Sequence, residues 1–524
     1  MRVIRSYIRL LLNIFFISTK RFIYKNATCF SLIEQEITVM GDVEKAIELL
    51  KKNNVRWVHS CFVDMRGLLQ DKVIPAKQYL DGSAFTAGLG FDGSSVRGFK
   101  TIEESDMVLK PDPKTLAIIP WTTDEKQKSA IVLGDVYEAY GGNAPSDVCP
   151  RGYVARRAVK AAEEMGYTAY FGPELEYFVF TSIDPTKLVW DLWVSPKGGA
   201  GDSWGAPRVV PESSEINHGG FTIRPKEGYL RPPPEDTTIE YRNEVASILE
   251  DNFGLDIEMH HHEVATAGQL EIDFRFGDLV ESSDRALYYK FVAKNVAKKY
   301  GLIATFMPKP IYLDNASGMH VHTSLWKDDA NVMYDENDGY AELSQTGRYF
   351  IGGLLEHARA VTAVGCPTVN SYKRLVPGFE APIYIMWSRR NRSSMVRVPL
   401  YYKGPQYASA KRVEFRSIDP SCNPYLIMSC LLMAGLDGVK KKIDPGDPVD
   451  EDVYELTPER RKALGIKELP TTLRDALDAM KSDEVIHRTL GSHIFDAFIE
   501  YKTNDWNQYC LYVTPWEIMK YLDY

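Results

Sequence analysis

The chain has 524 residues, 44% hydrophobic and 25% charged, with a formal net charge of −9. That length and balance describe a globular protein with a large core and more than one domain. The acidic balance excludes a generic nucleic-acid binder, which must attract phosphate; seven cysteines without a CxxC pair exclude a zinc knuckle or disulfide framework and fit a reducing cytoplasm.

Residues 1–40 are basic, with no acid before Glu34. Their apolar run Leu10 to Ile17 is too short to span a bilayer. It reads either as a signal-like or membrane-surface segment, or as an extension outside the fold from a start placed too early. Met40, just ahead of a clean domain start, favours the second. No other transmembrane candidate follows.

Residues 41–150 read as a small helix-plus-sheet domain. Asp42 caps a helix carrying Val43, Ala46, Ile47 and Leu50. Val55 to Asp64 and Leu68 to Ile74 are strands joined by an Arg66-Gly67 turn, with further strands near Thr115 to Pro120 and Ser129 to Val136. Residues 151–524 form the second domain. Its helices are expected at Tyr153 to Met165, Glu240 to Asp251, Ser283 to Tyr300, Leu343 to Val364 and Pro424 to Lys441. Residues 181–227, rich in Gly, Pro, Ser and Asp, read as a long surface loop. Loosely structured sequence around Asp444 to Glu468 precedes a last helical region.

Charged side chains stripe strands that are otherwise apolar. Side chains two apart on a strand share a face, so Glu174 pairs with Glu176, His320 with His322 and Ser324, and Glu414 with Arg412 and Arg416. Ionised groups are buried only when they bind metal, substrate or each other. The Cα atoms of Glu174 and Glu176 lie about 6.6 Å apart on a strand, a spacing that suits two neighbouring ions. Glu263, Glu271, His320 and Glu414 supply further ligands. Carboxylates with few nitrogens suit Mg²⁺ or Mn²⁺. A single glutamate on a strand is usually solvated; six such groups in apolar strands are not explained that way. Of the triplet His260, His261 and His262, at most one or two can face one site.

Arg374, Arg392, Arg397, Arg412 and Arg416 fall in one window. Guanidinium forks beside metal ions match a polyanion such as a nucleoside triphosphate, while Arg389 and Arg390 read as surface or interface residues. No GxxxxGK[ST] loop is present, so phosphate binding must come from metals and arginines.

These segments resemble class I glutamine synthetases over roughly residues 41 to 524. Phe91-Asp92-Gly93-Ser94-Ser95 with Ile102 to Met107 is similar to the family's ammonium-site loop. Gly172 to Glu176 and His261 to Gln269 are similar to its metal strands, and Asn315 to His320 to its glutamate loop. Met307 to Pro310, Asn370 to Pro382 and Arg412 to Pro420 complete the pattern.

The resemblance implies an α+β fold: a small N-terminal β-grasp domain plus a larger catalytic domain with a curved antiparallel sheet flanked by helices. It implies a cytoplasmic dodecamer of two stacked hexameric rings, with active sites between subunits and the segment from Thr514 onward crossing between rings. The implied reaction joins ammonia to glutamate through γ-glutamyl phosphate, with ATP as co-substrate and two or three Mg²⁺ or Mn²⁺ per site. Glu176, Glu263 and Glu271 would hold one metal, and Glu174, His320 and Glu414 the other. Arg392 and Arg397 would steady phosphates. Arg374, Arg416, Asn315 and Ala316 would bind glutamate, with Glu380 on a closing flap. Glu258, Phe274, Arg275, Phe276, His322 and Ser324 would line the nucleotide site, and Asp92 would attract ammonium and help deprotonate it. Ala316 stands where the family usually has glycine, and the interval from Arg397 to Arg412 is extended, leaving open whether Lys403 or Lys411 meets ATP. Two other readings are a ligase using a polyamine or other amine, and a non-catalytic regulatory homologue.

Overall fold

The computed structural model describes residues 40–140, 142–182, 223–224, 226–265, 268–376 and 381–524. The expectations for residues 1–39 and for nearly all of the 181–227 loop lie outside them.

The first sheet holds β1 (Trp57–Val63), β2 (Leu69–Pro75), β3 (Leu89–Asp92), β4 (Asp106–Pro111), β5 (Ala117–Ile119) and β6 (Ser129–Glu138). Its order is β2-β1-β6-β4-β3, with β5 beside β6. β1 and β6 run parallel at the centre. The sheet grips the helical residues 40–52 through Ala46 and Leu50, which pack on Val58, Phe62, Ile74 and Val132. This is a β-grasp domain. β3 and β4 were not expected, because their residues read as motif loops; Met107 and Leu109 alternate inward and hold β4 in the sheet.

The β1–β2 turn shows why a glycine is needed. Gly67 has φ +84°, and a Cβ there would meet Asn423 Cα at 2.8 Å. Asn423 in turn caps the helix Pro424–Lys441 and donates its Nδ2–H to Asp64 O at 2.9 Å.

The second sheet holds β7 (Thr168–Phe180), β8 (Ile257–His262), β9 (Gln269–Phe274), β10 (Ile303–Thr305), β11 (Met319–Lys327), β12 (Ala330–Asn331), β14 (Trp387–Arg389), β15 (Val396–Val398) and β16 (Val413–Phe415); β13 (Tyr384–Ile385) pairs separately with β17 (Lys467–Glu468). The strand order is β14-β15-β16-β11-β7-β9-β8. β7 is the spine, pairing with β11 over Thr168 to Leu175 and with β9 from Glu176 onward. Helices Ile239–Phe253, Leu279–Lys299 and Pro424–Lys441 cover its apolar side. This curved sheet with flanking helices is the fold class read from the sequence.

The expected helix Leu343 to Val364 is two helices, Gln345–Glu356 and Ala358–Gly365. They break at His357, whose ring is held by Asp483 at 2.6 Å and Asp437 at 3.2 Å. Among the described residues no helix is long and apolar enough to cross a membrane.

Arg151 fastens the two sheets together. It is buried and meets Asp112 at 2.8 Å, Asp135 at 2.9 Å and Asp284 through both Nε and Nη2. Asp112 and Asp135 belong to the first sheet's domain, and Asp284 to the helix Leu279–Lys299. Tyr425 donates its hydroxyl to Asp284 from the helix Pro424–Lys441.

Candidate active site

Strand register assembles a polar face from segments far apart in sequence. Glu174 lies opposite His320, Glu176 opposite Glu271, and Glu271 opposite His261. Glu414 stands between His322 and Arg397. These groups, with Glu263, line one cavity of about 990 Å³. Asn315, Ala316, Arg374, Arg392 and Arg416 line it too.

The polar groups hold one another closely. His322 Nε2 lies 2.7 Å from Glu174 Oε1, and His320 Nδ1 3.2 Å from Glu174 Oε2. His261 reaches Glu271 at 3.4 Å and Glu263 at 3.5 Å. Glu414 is clasped by Arg416 and by Arg397, the latter at 2.7 Å. Arg374 is anchored by the carbonyls of Ser417 at 3.0 Å and Arg416 at 3.2 Å. Gly318 lets this crowd form: a Cβ there would stand 2.7 Å from Arg374 Nη2 and 3.3 Å from His320 Nε2.

The donor set fits divalent cations. Three groups bring ligand atoms within 4.8 Å of one another: Glu174, His322 and Glu414; Glu174, Glu271 and His320; and His261, Glu263 and Glu271. Buried Glu271 Oε1 and Asp273 Oδ1 have no hydrogen-bond partner, as oxygens waiting for a cation would. The grouping differs from the split expected from sequence. Glu176 stands in none of the three, because its Oε2 is turned to Gln269 Nε2 at 2.8 Å and Gly318 N at 3.0 Å.

Burial, reinforced by Glu263, pushes Glu176 up to about 8. Burial and Glu174 do the same to Asp273, also to about 8, and burial and Asp273 raise Glu271 well above the carboxylate range. Burial alone would raise Glu174 as well, but His322 and His320 hold it well below its usual value. A carboxylate raised in the folded state binds more protons there than in the unfolded chain. Folding stability therefore falls as pH rises from the ordinary 4.5 of Glu176 toward about 8. In chelator, the melting temperature is expected to decline across that window, and saturating Mn²⁺ to remove most of the decline. Parallel curves with and without Mn²⁺ would contradict this.

Other expected residues stand elsewhere. Phe274 does not face the nucleotide region with its side chain: alternation on β9 sends it into the core with Leu270 and Ile272. Glu258 and Arg275 are exposed outside the cavity lining, Arg275 at 3.4 Å from Asp256. Ser324 Oγ accepts from Trp326 Nε1 and is also outside the lining. Phe276 is exposed beside Gly172, where a Cβ would meet Phe276 and His322 from opposite sides. Lys411 Nζ is buried and spent on Ala341 O at 2.6 Å. Asp92 is exposed and outside this chain's cavity; its carboxylate accepts from Ser94 N, Ser94 Oγ and Ser95 Oγ, which lower it from its usual range. Glu380 lies outside the described residues.

The cavity also holds groups the sequence reading had not assigned: Asp273, Gln269, Tyr229 and Tyr401, with His261 now selected from the triplet. Tyr401 accepts Arg397 Nη2 at 2.9 Å. Asp273 was legible by the two-residue rule from Glu271; Tyr229 and Tyr401 carried no sequence signal.

The family description "Glutamine synthetase, beta-Grasp domain" matches residues 54–139, and "Glutamine synthetase, catalytic domain" matches residues 147–521. A protein named glutamine synthetase from Archaeoglobus fulgidus is 62% identical, covering 92% of this chain and 98% of its own. Counterparts of the same name from Sulfolobus acidocaldarius and Thermotoga maritima are 49% and 43% identical, each covering over nine-tenths of both chains. A solved structure titled "GmaS/ADP complex-Conformation 1" superposes with a TM-score of 0.74 at 28% identity, covering 91% of this chain and 99% of that one.

Proposed function

The chain belongs to the glutamine synthetase family, and from that premise we propose how its own residues carry the reaction. It is an ATP-dependent ligase that joins ammonia to L-glutamate to give glutamine, using divalent metal. The observation that carries the assignment of roles is the convergence of Glu174, Glu176, Glu263, Glu271, His320 and Glu414 in one arginine-rimmed cavity.

Those six side chains would hold two or three Mg²⁺ or Mn²⁺, with His261 and His322 at their edges. Such ions would supply positive charge against the transferring phosphoryl group. Arg392 and Arg397 steady the phosphates, Arg397 being oriented by Glu414 and Tyr401. Arg374 and Arg416 fix the glutamate carboxylate as guanidinium forks, beside the backbone of Asn315 and Ala316. His322, Phe276 and the backbone around Phe274 form the nucleotide end. A relative of the same fold was solved as an ADP complex, which supports nucleotide use by this fold. ATP turnover with glutamate plus ammonium, with glutamate plus amines, and without acceptor tests the reading. Only the first should run at full rate; equal rates with amines would overturn it.

The domains are 41–150 and 151–524, and the enzyme works in the cytoplasm. The described cysteines are all unpaired, which supports a reducing compartment. The assembly is a dodecamer of two hexameric rings, with Asp92 serving the neighbouring subunit. Its exposure outside its own chain's cavity supports this, as do the exposed Val513, Trp516, Ile518 and Leu522 of the terminal segment.

Asp92→Ala is expected to raise the ammonium needed for half-maximal rate by at least about tenfold, the loss of one charge-assisted contact, with ATP binding unchanged. Mixing Asp92→Ala subunits with Glu271→Gln subunits then restores about a quarter of the sites, since one site in four draws both intact residues. No recovery at limiting ammonium would refute a shared site.

A further inference from the structure

Asp273 is a buried acid of the cavity face with no task in the metal and substrate roles proposed above. On β9 the side chains of Gln269, Glu271 and Asp273 point into the cavity, while Leu270, Ile272 and Phe274 point into the core. Asp273 is 6% exposed, and its Oδ1 has no hydrogen-bond partner. The charged groups that face it are acids from three strands and a loop: Glu174, Glu176, Glu258, Glu271 and Glu263. An ionised carboxylate so placed needs a cation.

Its position says when that cation arrives. Asp273 lies two residues, about 6.6 Å along an extended strand, beyond Glu271. That step leads toward Phe274 and Phe276, the end where Phe276 and His322 flank Gly172. Resting on the functional reading above, we propose that Asp273 is a further cation-binding residue, taking a divalent ion that enters with the nucleoside phosphate. The preceding Glu271 and Glu263 serve the resident ions; Asp273 serves the one delivered with the substrate.

The test counts Mn²⁺ per subunit by equilibrium dialysis of the assembled full-length protein, with and without saturating ADP, bound ADP being counted in the same cells. The unsubstituted protein is expected to take up one additional Mn²⁺ with ADP. Asp273→Asn is expected to keep the count found without ADP, to lose the additional ion, and to bind ADP about tenfold more weakly in Mn²⁺. Its melting temperature in chelator checks the fold and is expected to rise, since a buried acid crowded by other acids is removed. Retention of the additional ion by Asp273→Asn overturns the proposal, as does its absence from the unsubstituted protein. No Mn²⁺ binding at all, with or without ADP, would overturn the functional reading as well.

Discussion

Glu271→Gln is expected to lower glutamine formation by about 10³-fold, roughly 4 kcal/mol of transition-state stabilisation, while raising the melting temperature of the metal-free protein. Both effects have one cause. Glu271 is 6% exposed, faces Glu176 across the β7–β9 pair, and leaves Oε1 unpartnered. Its negative charge is costly in the empty cavity and useful only against a cation. A neutral amide of the same shape keeps the packing, relieves the repulsion from Asp273, Glu174, Glu263 and Glu176, and gives up an ionic ligand. Stability and activity should therefore move in opposite directions, as they do where a fold stores strain at its site. Melting in chelator and initial rates at saturating Mg²⁺ measure the two. A variant that lost both stability and rate would mark Glu271 as a packing residue.

Arg151→Ala is expected to destabilise the fold by about 3–5 kcal/mol, because the buried Asp135 and Asp284 and the partly buried Asp112 lose their common cation. The guanidinium is 4% exposed and satisfies Asp112, Asp135 and Asp284 at once. Burial by itself would push it toward neutrality, but Asp284 and Asp135 raise it well above its ordinary value, so it stays charged. Burial raises Asp284 even so, which makes that carboxylate the one left most exposed to loss of the arginine. Arg151→Lys retains the charge without the fork that meets three partners and should lose less. Urea unfolding of the assembled protein measures the difference. An alanine variant within 1 kcal/mol of the parent would show that packing, not this ion cluster, joins the two sheets.

The site was more legible in the sequence than the fold around it, for physical reasons. Two-residue spacing on a strand is local, so Glu174 with Glu176 and His320 with His322 could be read as sharing faces. Which faces meet is set by register between strands up to 240 residues apart, such as Glu174 with Glu414 through His320 and His322. That long-range pairing brought His261 of the triplet into the cavity and set the candidate ligand atoms in threes that cut across the expected split. β3 and β4 escaped notice because Asp92, Gly93 and Ser94 look like a turn, and they do form one at the strand end. The break at His357 has no helix-breaking residue to announce it; tertiary ion pairs from Asp437 and Asp483 make it. The inward turn of the Phe274 side chain was not legible, because a motif matched as a block says nothing about which alternate side chain points where.

By the proposed function, Glu174, Glu176, Glu263, Glu271, His320 and Glu414 enclose divalent cations that serve phosphoryl transfer. Anomalous diffraction from crystals of the assembled protein soaked in Mn²⁺ and ADP tests it most directly. At least two peaks are expected inside the cavity, each about 2.1 Å from oxygens or a nitrogen of these side chains. A cavity without an anomalous peak, or with manganese bound only elsewhere on the surface, would contradict it.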